Sequence, residues 1–272
     1  MRTAISEIDL RRATSVDEAL EILRDEPRTP IAGATDLYVA LNFGTLVPRQ
    51  FLDIWALDEL RTISVHEDSL VIGALTSYTA LMQSHLVAER LPMLAEASRL
   101  VGGVQIQNRG TLGGNIANGS PAADGVPVLS AADAIVVMRS VHGERHVPLN
   151  AFYTGYRETV MRPDELIVAI QVPRVEGKQW FRKVGTRAAQ AISKIVMAAV
   201  RAPSPRIAFG SVAPTVVRVP LTEDALESGK SIDEAVEILG RELKPIDDVR
   251  STADYRRLVS QNLLRRFWAE TA

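Results

Sequence analysis

The chain has 272 residues, enough for two domains or one large one, and its 46% hydrophobic and 24% charged residues are ordinary globular values. Its formal net charge of −2 leaves no electrostatic footprint for nucleic acid or an anionic membrane. The absence of cysteine removes disulfides, thiolate-bound zinc, iron–sulfur clusters and cysteine nucleophiles.

No apolar run approaches the roughly 18 residues a membrane-spanning helix needs. The N-terminus, MRTAISEIDLRRATS, carries early charge but no apolar core, so no secretory signal is expected and a cytoplasmic protein is the default. Residues 1–60 read as a small β–α–β piece. Ser15 and Glu18 fit a capping box, and Val16, Ala19, Leu20, Ile22 and Leu23 recur at helical spacing behind them. Thr29–Ala32 reads as a strand running into Ala32-Gly33-Ala34-Thr35-Asp36-Leu37 and an apolar helix at Leu37–Leu41. A strand, a tight small-residue turn and a helix point free N–H groups at a phosphate, although a plain strand-to-helix turn has the same pattern. Neither this turn nor any other stretch carries a G-x-G-x-x-G or P-loop fingerprint.

Phe51–Ile54 and Leu70–Gly73 read as strands, the second leading to a helix opened by Thr76 or Ser77. Pro92 suits the first turn of a further helix that Gly102 and Gly103 stop. Val126–Ala134 reads as helical, Ala134–Met138 and His146–Leu149 as strands about a turn at His142-Gly143, and Leu166–Val172 as a strand ended by Pro173. The character changes near residue 175. A basic stretch, Trp180–Arg187, precedes the apolar run Ala191–Val200; Ile207–Val212 and Val216–Val219 are then expected to pair as strands. The tail reads as helices at Thr222–Leu226, Ser231–Leu239 and from Ser251, where Ser251 and Asp254 supply the expected cap.

The stretch Gly102–Asp124, GGVQIQNRGTLGGNIANGSPAAD, holds six of the seventeen glycines and almost no charge. Such a run is a poor helix and a poor strand, and is expected as a long functional loop. Its Gly-rich backbone suits a diphosphate, with Thr111, Asn115 and Ser120 adding polar side chains. The turns at 32–37 and 110–115 then suit one diphosphate held from both sides. The four histidines are scattered, and Ser120 sits in Asn-Gly-Ser-Pro rather than a nucleophile elbow. With no acid–base pair in view, the chemistry of an enzyme of this kind is expected to belong to a cofactor.

Gln105-Ile106-Gln107-Asn108-Arg109-Gly110-Thr111-Leu112-Gly113-Gly114-Asn115-Ile116, followed by Ser120-Pro121-Ala122-Ala123-Asp124, closely resembles the FAD-binding medium subunit of molybdenum hydroxylases, the xanthine dehydrogenase and carbon monoxide dehydrogenase family. Ala32–Leu37 looks like the first phosphate loop of that family. Phe152–Thr159, Pro163–Leu166 and Arg182–Arg187 resemble further stretches of it, in the same order, over roughly residues 10–215.

The resemblance implies an α+β fold: a two-subdomain, PCMH-type (vanillyl-alcohol-oxidase-like) FAD-binding unit at 1–175, divided near 55, then a C-terminal α+β domain at 176–272 with a small antiparallel sheet and helices. It implies FAD as cofactor and no metal site in this chain. The implied contacts are Ile31, Ala32, Gly33, Ala34, Thr35, Asp36, Leu37, Val101, Gly110, Thr111, Leu112, Gly113, Gly114, Asn115, Ser120, Asp124, Ile167, Lys183 and Ile192. Within that set, 32–37 and 111–115 hold the pyrophosphate. Ile167 touches the flavin side through its backbone, Lys183 stands near the isoalloxazine, and Ile192 lies over the ring. No residue of the chain is expected to be catalytic in its own right.

The implied partners are a small [2Fe–2S] subunit and a large molybdenum-cofactor subunit in a dimer of heterotrimers, with electrons leaving FAD for an external acceptor. Two departures stand out. Ala34 occupies a usual glycine position, and Gln107 replaces the commoner arginine. A self-contained FAD oxidoreductase and a cofactor-free scaffold subunit remain the alternatives.

Overall fold

The computed structural model describes residues 5–272; the first four residues of the N-terminal stretch read above lie outside them. The chain opens with β1 (Asp9–Arg12), α1 (Val16–Asp25), β2 (Thr29–Ile31), α2 (Thr35–Phe43) and β3 (Gln50–Asp53). The three strands form a parallel sheet in the order β1-β3-β2. Ser15 caps α1 by accepting from the Glu18 N–H at 3.1 Å, and the five predicted apolar positions bury one face of the helix. The β–α–β reading of this piece is met.

The second piece is antiparallel. β4 (Ile63–His66) and β5 (Ser69–Gly73) are followed by α3 (Tyr78–Gln83), α4 (His85–Arg90), α5 (Pro92–Arg99), α6 (Val104–Arg109), α7 (Leu112–Asn118) and α8 (Gly125–Ala131). β6 (Ile135–Ser140), β7 (Gly143–Pro148), the small hairpin β8 (Tyr153–Gly155) and β9 (Glu158–Thr159), and β10 (Leu166–Val172) complete it. The sheet order is β4-β5-β10-β6-β7. Of the two residues expected to open α3, Ser77 does so, its Oγ accepting from the Ala80 N–H.

The expectation of a long loop at 102–124 is corrected. The segment forms α6 and α7, joined at Gly110-Thr111. Packing overrides the low helix propensity of Leu-Gly-Gly-Asn: Leu112, Gly113 and Ile116 are buried in the core, and a Cβ on Gly113 would lie 2.7 Å from that of Ala74. Thr111 caps α7 by accepting from the Gly114 N–H at 3.1 Å, and Gly119 ends it in the left-handed region (φ 60°).

The last piece pairs β11 (Lys178–Val184), β12 (Ile195–Arg201), β13 (Arg206–Gly210) and β14 (Val217–Arg218) as an antiparallel sheet in chain order. α9 (Pro220–Glu227), α10 (Ile232–Glu242) and α11 (Ala253–Glu270) cover one face. The cap of α11 is Thr252, which accepts from the Tyr255 N–H, and not Ser251 with Asp254.

β12 is apolar along its length because both its faces are buried. Val196, Ala198 and Val200 join the core formed by the central sheet, α5 and α8, while Ile195, Met197 and Ala199 pack with Phe267 and Leu239 under the C-terminal helices. The two-residue strand period sends alternate side chains to two cores. One hydrophobic core therefore runs continuously from residue 70 to residue 208. A third core joins α1 and β3 to Leu166 and Val168 on β10.

Candidate cofactor site

Gly33 brings the two small-residue stretches together. A Cβ there would sit 1.6 Å from the carbonyl oxygen of Arg109, so only glycine allows the 32–37 turn to lie against the 109–110 backbone. The next residue, Ala34, takes the left-handed conformation (φ 59°) at the start of α2. An L-residue thus holds the turn at the position where the resemblance led to glycine being expected. Through this turn, the N–H groups of Gly33, Ala34, Thr35, Asp36 and Leu37 donate to no protein acceptor among the described residues. Five free donors in a row at a helix start form an anion cradle.

The second stretch contributes differently from expectation. The N–H groups of Leu112, Gly113, Gly114 and Asn115 donate to Thr76 O, Ala74 O, Thr111 Oγ1 and Thr111 O. They are spent on anchoring α7, so residues 110–115 supply walls and side chains to the groove rather than a second set of backbone donors.

A groove in two joined chambers, of about 900 and 1020 Å³, runs past both stretches. The first chamber is bordered by residues 29–37, Val101, Gly110, Thr111, Gly114 and Asn115. The second is bordered by Ser120–Asp124, Ile192 and a wall from the C-terminal piece that includes Pro214, Ile246 and Arg250. Asp36, Asn115, Asn118 and Arg157 border both.

Four of the expected contacts do not line the groove. Leu112 and Gly113 are core residues of α7. Ile167 is a buried residue of β10 beside a register shift against β6. Lys183 stands one layer back: its Nζ donates to Asp124 Oδ2 at 2.6 Å and to Leu100 O at 2.9 Å. The residues that sequence reasoning passed over are Tyr78, Asn118, Arg157 and the 246–250 segment. Asn118 lay inside the Gly102–Asp124 stretch and Arg157 inside Phe152–Thr159, but none of these residues carried a pattern that named a role.

The electrostatics of the groove come from burial. Burial raises the Asp124 carboxyl to about 6, with Lys183 pulling it back down. Burial also raises Asp36, against the pull of Arg157 and of the hydrogen bond from Asn118. Four groove-lining side chains carry buried atoms without a hydrogen-bond partner: Tyr78 Oη, Asn115 Oδ1, Asp124 Oδ1 and Arg256 Nε. Each such atom costs about 1–3 kcal/mol while unpaired, so a long polar ligand in the groove would relieve what the fold leaves unmet. An extended dinucleotide with one diphosphate fits the free N–H cradle, the two chambers and these orphaned atoms. Among the described residues no cluster of side chains suits a metal ion.

Residues 6–175 match the family model described as the FAD binding domain in molybdopterin dehydrogenase, and residues 179–271 match the CO dehydrogenase flavoprotein C-terminal domain. The chain belongs to the FAD-binding medium subunits of molybdenum hydroxylases. It is similar to the glyceraldehyde dehydrogenase medium chain of Sulfolobus acidocaldarius, with 32% identity over 96% of this chain and 97% of that one. The xanthine dehydrogenase FAD-binding subunit of Escherichia coli O157:H7 is 31% identical over 95% and 94% of the two chains. Among solved structures, carbon monoxide dehydrogenase from Hydrogenophaga pseudoflava superimposes with a TM-score of 0.90 at 30% identity, covering 97% of this chain and 98% of that one. As a medium subunit of this family the chain is part of an oxidoreductase, and FAD is its cofactor. No helix among the described residues is long and apolar enough to cross a membrane.

Proposed function

We propose that this chain holds FAD along the two-chamber groove and serves as the exit for electrons from a molybdenum hydroxylase, in a cytoplasmic complex. The partners in this reading are a small [2Fe–2S] subunit and a large molybdenum-cofactor subunit, assembled as a dimer of heterotrimers. Bound FAD supplies the chemistry of taking electrons singly from iron–sulfur clusters and giving them up in pairs to an external acceptor. The observation that carries the reading is the row of five free N–H groups at 33–37, held in place by the Gly33 contact.

The chain's own residues bind, orient and shield. Residues 32–37 hold the diphosphate, with Asn115 and Ser120 lining the path beside it. Asp124, Lys183 and Ile192 serve the ring end. Asp124 Oδ1 is unpaired, and burial raises its carboxyl to about 6, so it accepts a hydrogen bond at neutral pH and holds a proton only in mildly acidic solution. Lys183 keeps Asp124 oriented by occupying Oδ2. Ile192, on the rim of the second chamber, restricts access to the ring end. We take residues 1–175 as the FAD-binding unit, divided near 55, and 176–272 as the domain that walls the second chamber.

Expression of the full chain followed by its visible absorption spectrum tests this. A flavin spectrum, with FAD rather than FMN released on denaturation, and its loss in Gly114→Trp, is the expected result. A parent chain that stays colourless with added FAD, both alone and assembled with its partner subunits, would overturn it.

A further inference from the structure

We infer that Arg157 is the cation that neutralises the cofactor diphosphate, presented by an Asp36–Asn118–Arg157 chain that ties the β8–β9 hairpin to the phosphate cradle. The inference rests on the FAD-binding reading above and assigns it a residue that no motif names.

Three observations converge on it. Among the described residues Arg157 is the only cationic one that borders both chambers, and a dinucleotide spanning two chambers has its diphosphate where they meet. The guanidinium lies 5.8 Å from the Tyr156 ring centroid and, among the described residues, hydrogen-bonds to Asn118 alone. Nη1 donates to Asn118 Oδ1 at 2.5 Å and reaches Asn118 O at 3.5 Å, while Nε and Nη2 have no protein acceptor among the described residues. An Arg fixed at one nitrogen with its remaining donors free is prepared for a further anion. Finally, Asn118 Nδ2 donates to Asp36 Oδ1 at 2.9 Å, and Asp36 lies within the row of free N–H groups.

The hairpin is built to hold this position. Arg157 itself takes the left-handed conformation (φ 57°), which points the tip back at α7. Gly119 makes room: a Cβ there would lie 3.1 Å from Arg157 Cα. Tyr153 Oη donates to Ile116 O at 3.0 Å and fastens the base of the hairpin to the same helix. Without a ligand, Arg157 offsets the nearby Asp36 carboxylate. With a diphosphate present, it offsets the added negative charge instead.

The test compares ligands with and without the diphosphate on the full chain. Arg157→Asn tolerates the left-handed backbone and removes the charge; Arg157→Lys keeps the charge. Affinities for FAD, ADP and riboflavin are measured by titration, alongside the thermal melt of the ligand-free chain. Loss of one charged contact predicts that Arg157→Asn weakens FAD and ADP by about 10- to 100-fold. It also predicts unchanged riboflavin binding, a ligand-free melt lowered by no more than the loss of one exposed hydrogen-bonded contact, partial recovery of FAD affinity in Arg157→Lys, and a shallower salt dependence of FAD affinity than the parent. An Arg157→Asn chain that binds FAD and ADP as the parent does overturns the inference. So does an equal loss for FAD and riboflavin, which marks a merely structural role. A parent that binds none of the three ligands, both alone and assembled with its partner subunits, overturns the FAD reading itself, a result separable from either.

Discussion

Lys183 and Asp124, 59 residues apart in sequence, meet through a 2.6 Å contact between Nζ and Oδ2, with both side chains about nine-tenths withdrawn from solvent. The contact joins β11 of the C-terminal piece to the start of α8, beneath the second chamber. Because burial and the lysine act on Asp124 in opposite directions, removing the lysine leaves burial unopposed. Lys183→Met should therefore move the Asp124 titration midpoint upward by about 1 unit or more. Carboxyl-carbon NMR over a pH series reads this directly, and a midpoint that stays or falls would show that the contact does not set the carboxyl's acidity.

The same carboxyl makes the ligand-free chain's stability depend on pH. Its midpoint is about 6 in the folded state and about 3.9 unfolded. Between those values the folded state binds more protons than the unfolded one, so this group's contribution falls as pH rises through the window and is level above it. Asp124→Asn should flatten that part of the profile. Urea denaturation of parent and variant across the window gives the comparison, and parallel slopes would refute the assignment.

Gly33→Ala forces a Cβ to within 1.6 Å of Arg109 O, which a backbone carbonyl cannot yield to without separating the two loops. The expected result is a loss of FAD retention together with a stability loss of about 1–3 kcal/mol or more. Gly125→Ala serves as the control, since the added Cβ makes only ordinary contacts at 3.8–3.9 Å. A variant at 33 that purifies with the parent's flavin content would contradict the close approach.

Ala34 carries backbone strain that glycine would not. Its φ of 59° costs an L-residue about 1–2 kcal/mol, part of which glycine returns as unfolded-state entropy. Ala34→Gly should raise the melting temperature of the ligand-free chain modestly, by about 0.5–1 kcal/mol of added stability, and leave FAD affinity within a few fold. A lowered melt would show that the left-handed turn is not the relevant strain.

Much of the local structure was legible from residue patterns. The α1 cap at Ser15, the apolar face behind it, and the strand pairs around His142-Gly143 and at 206–218 follow from periodicity and turn chemistry that act over a few residues. The stretch at 102–124 was not legible as helix, because its stability comes from burial of Leu112, Gly113 and Ile116 against distant parts of the chain, and intrinsic propensity points the other way. Gln107, which departs from the usual arginine, gives a similar lesson: its Nε2 donates to Arg99 O and Val101 O and satisfies carbonyls at the end of α5, a use visible only once the helices are packed.

The sequence by itself determined the family, the cofactor class and the two small-residue turns, since motif order and the absence of cysteine are properties of the chain alone. The tertiary structure decided which backbone groups remain free. The donors at 33–37 stay unpaired because a left-handed residue starts α2 there, while those at 112–115 are taken by Thr76, Ala74 and the Thr111 cap of α7. It also decided that Lys183 pairs with Asp124 and that Arg157 borders both chambers, because hydrogen-bond partners are set by which strands and helices meet in space, not by spacing along the chain.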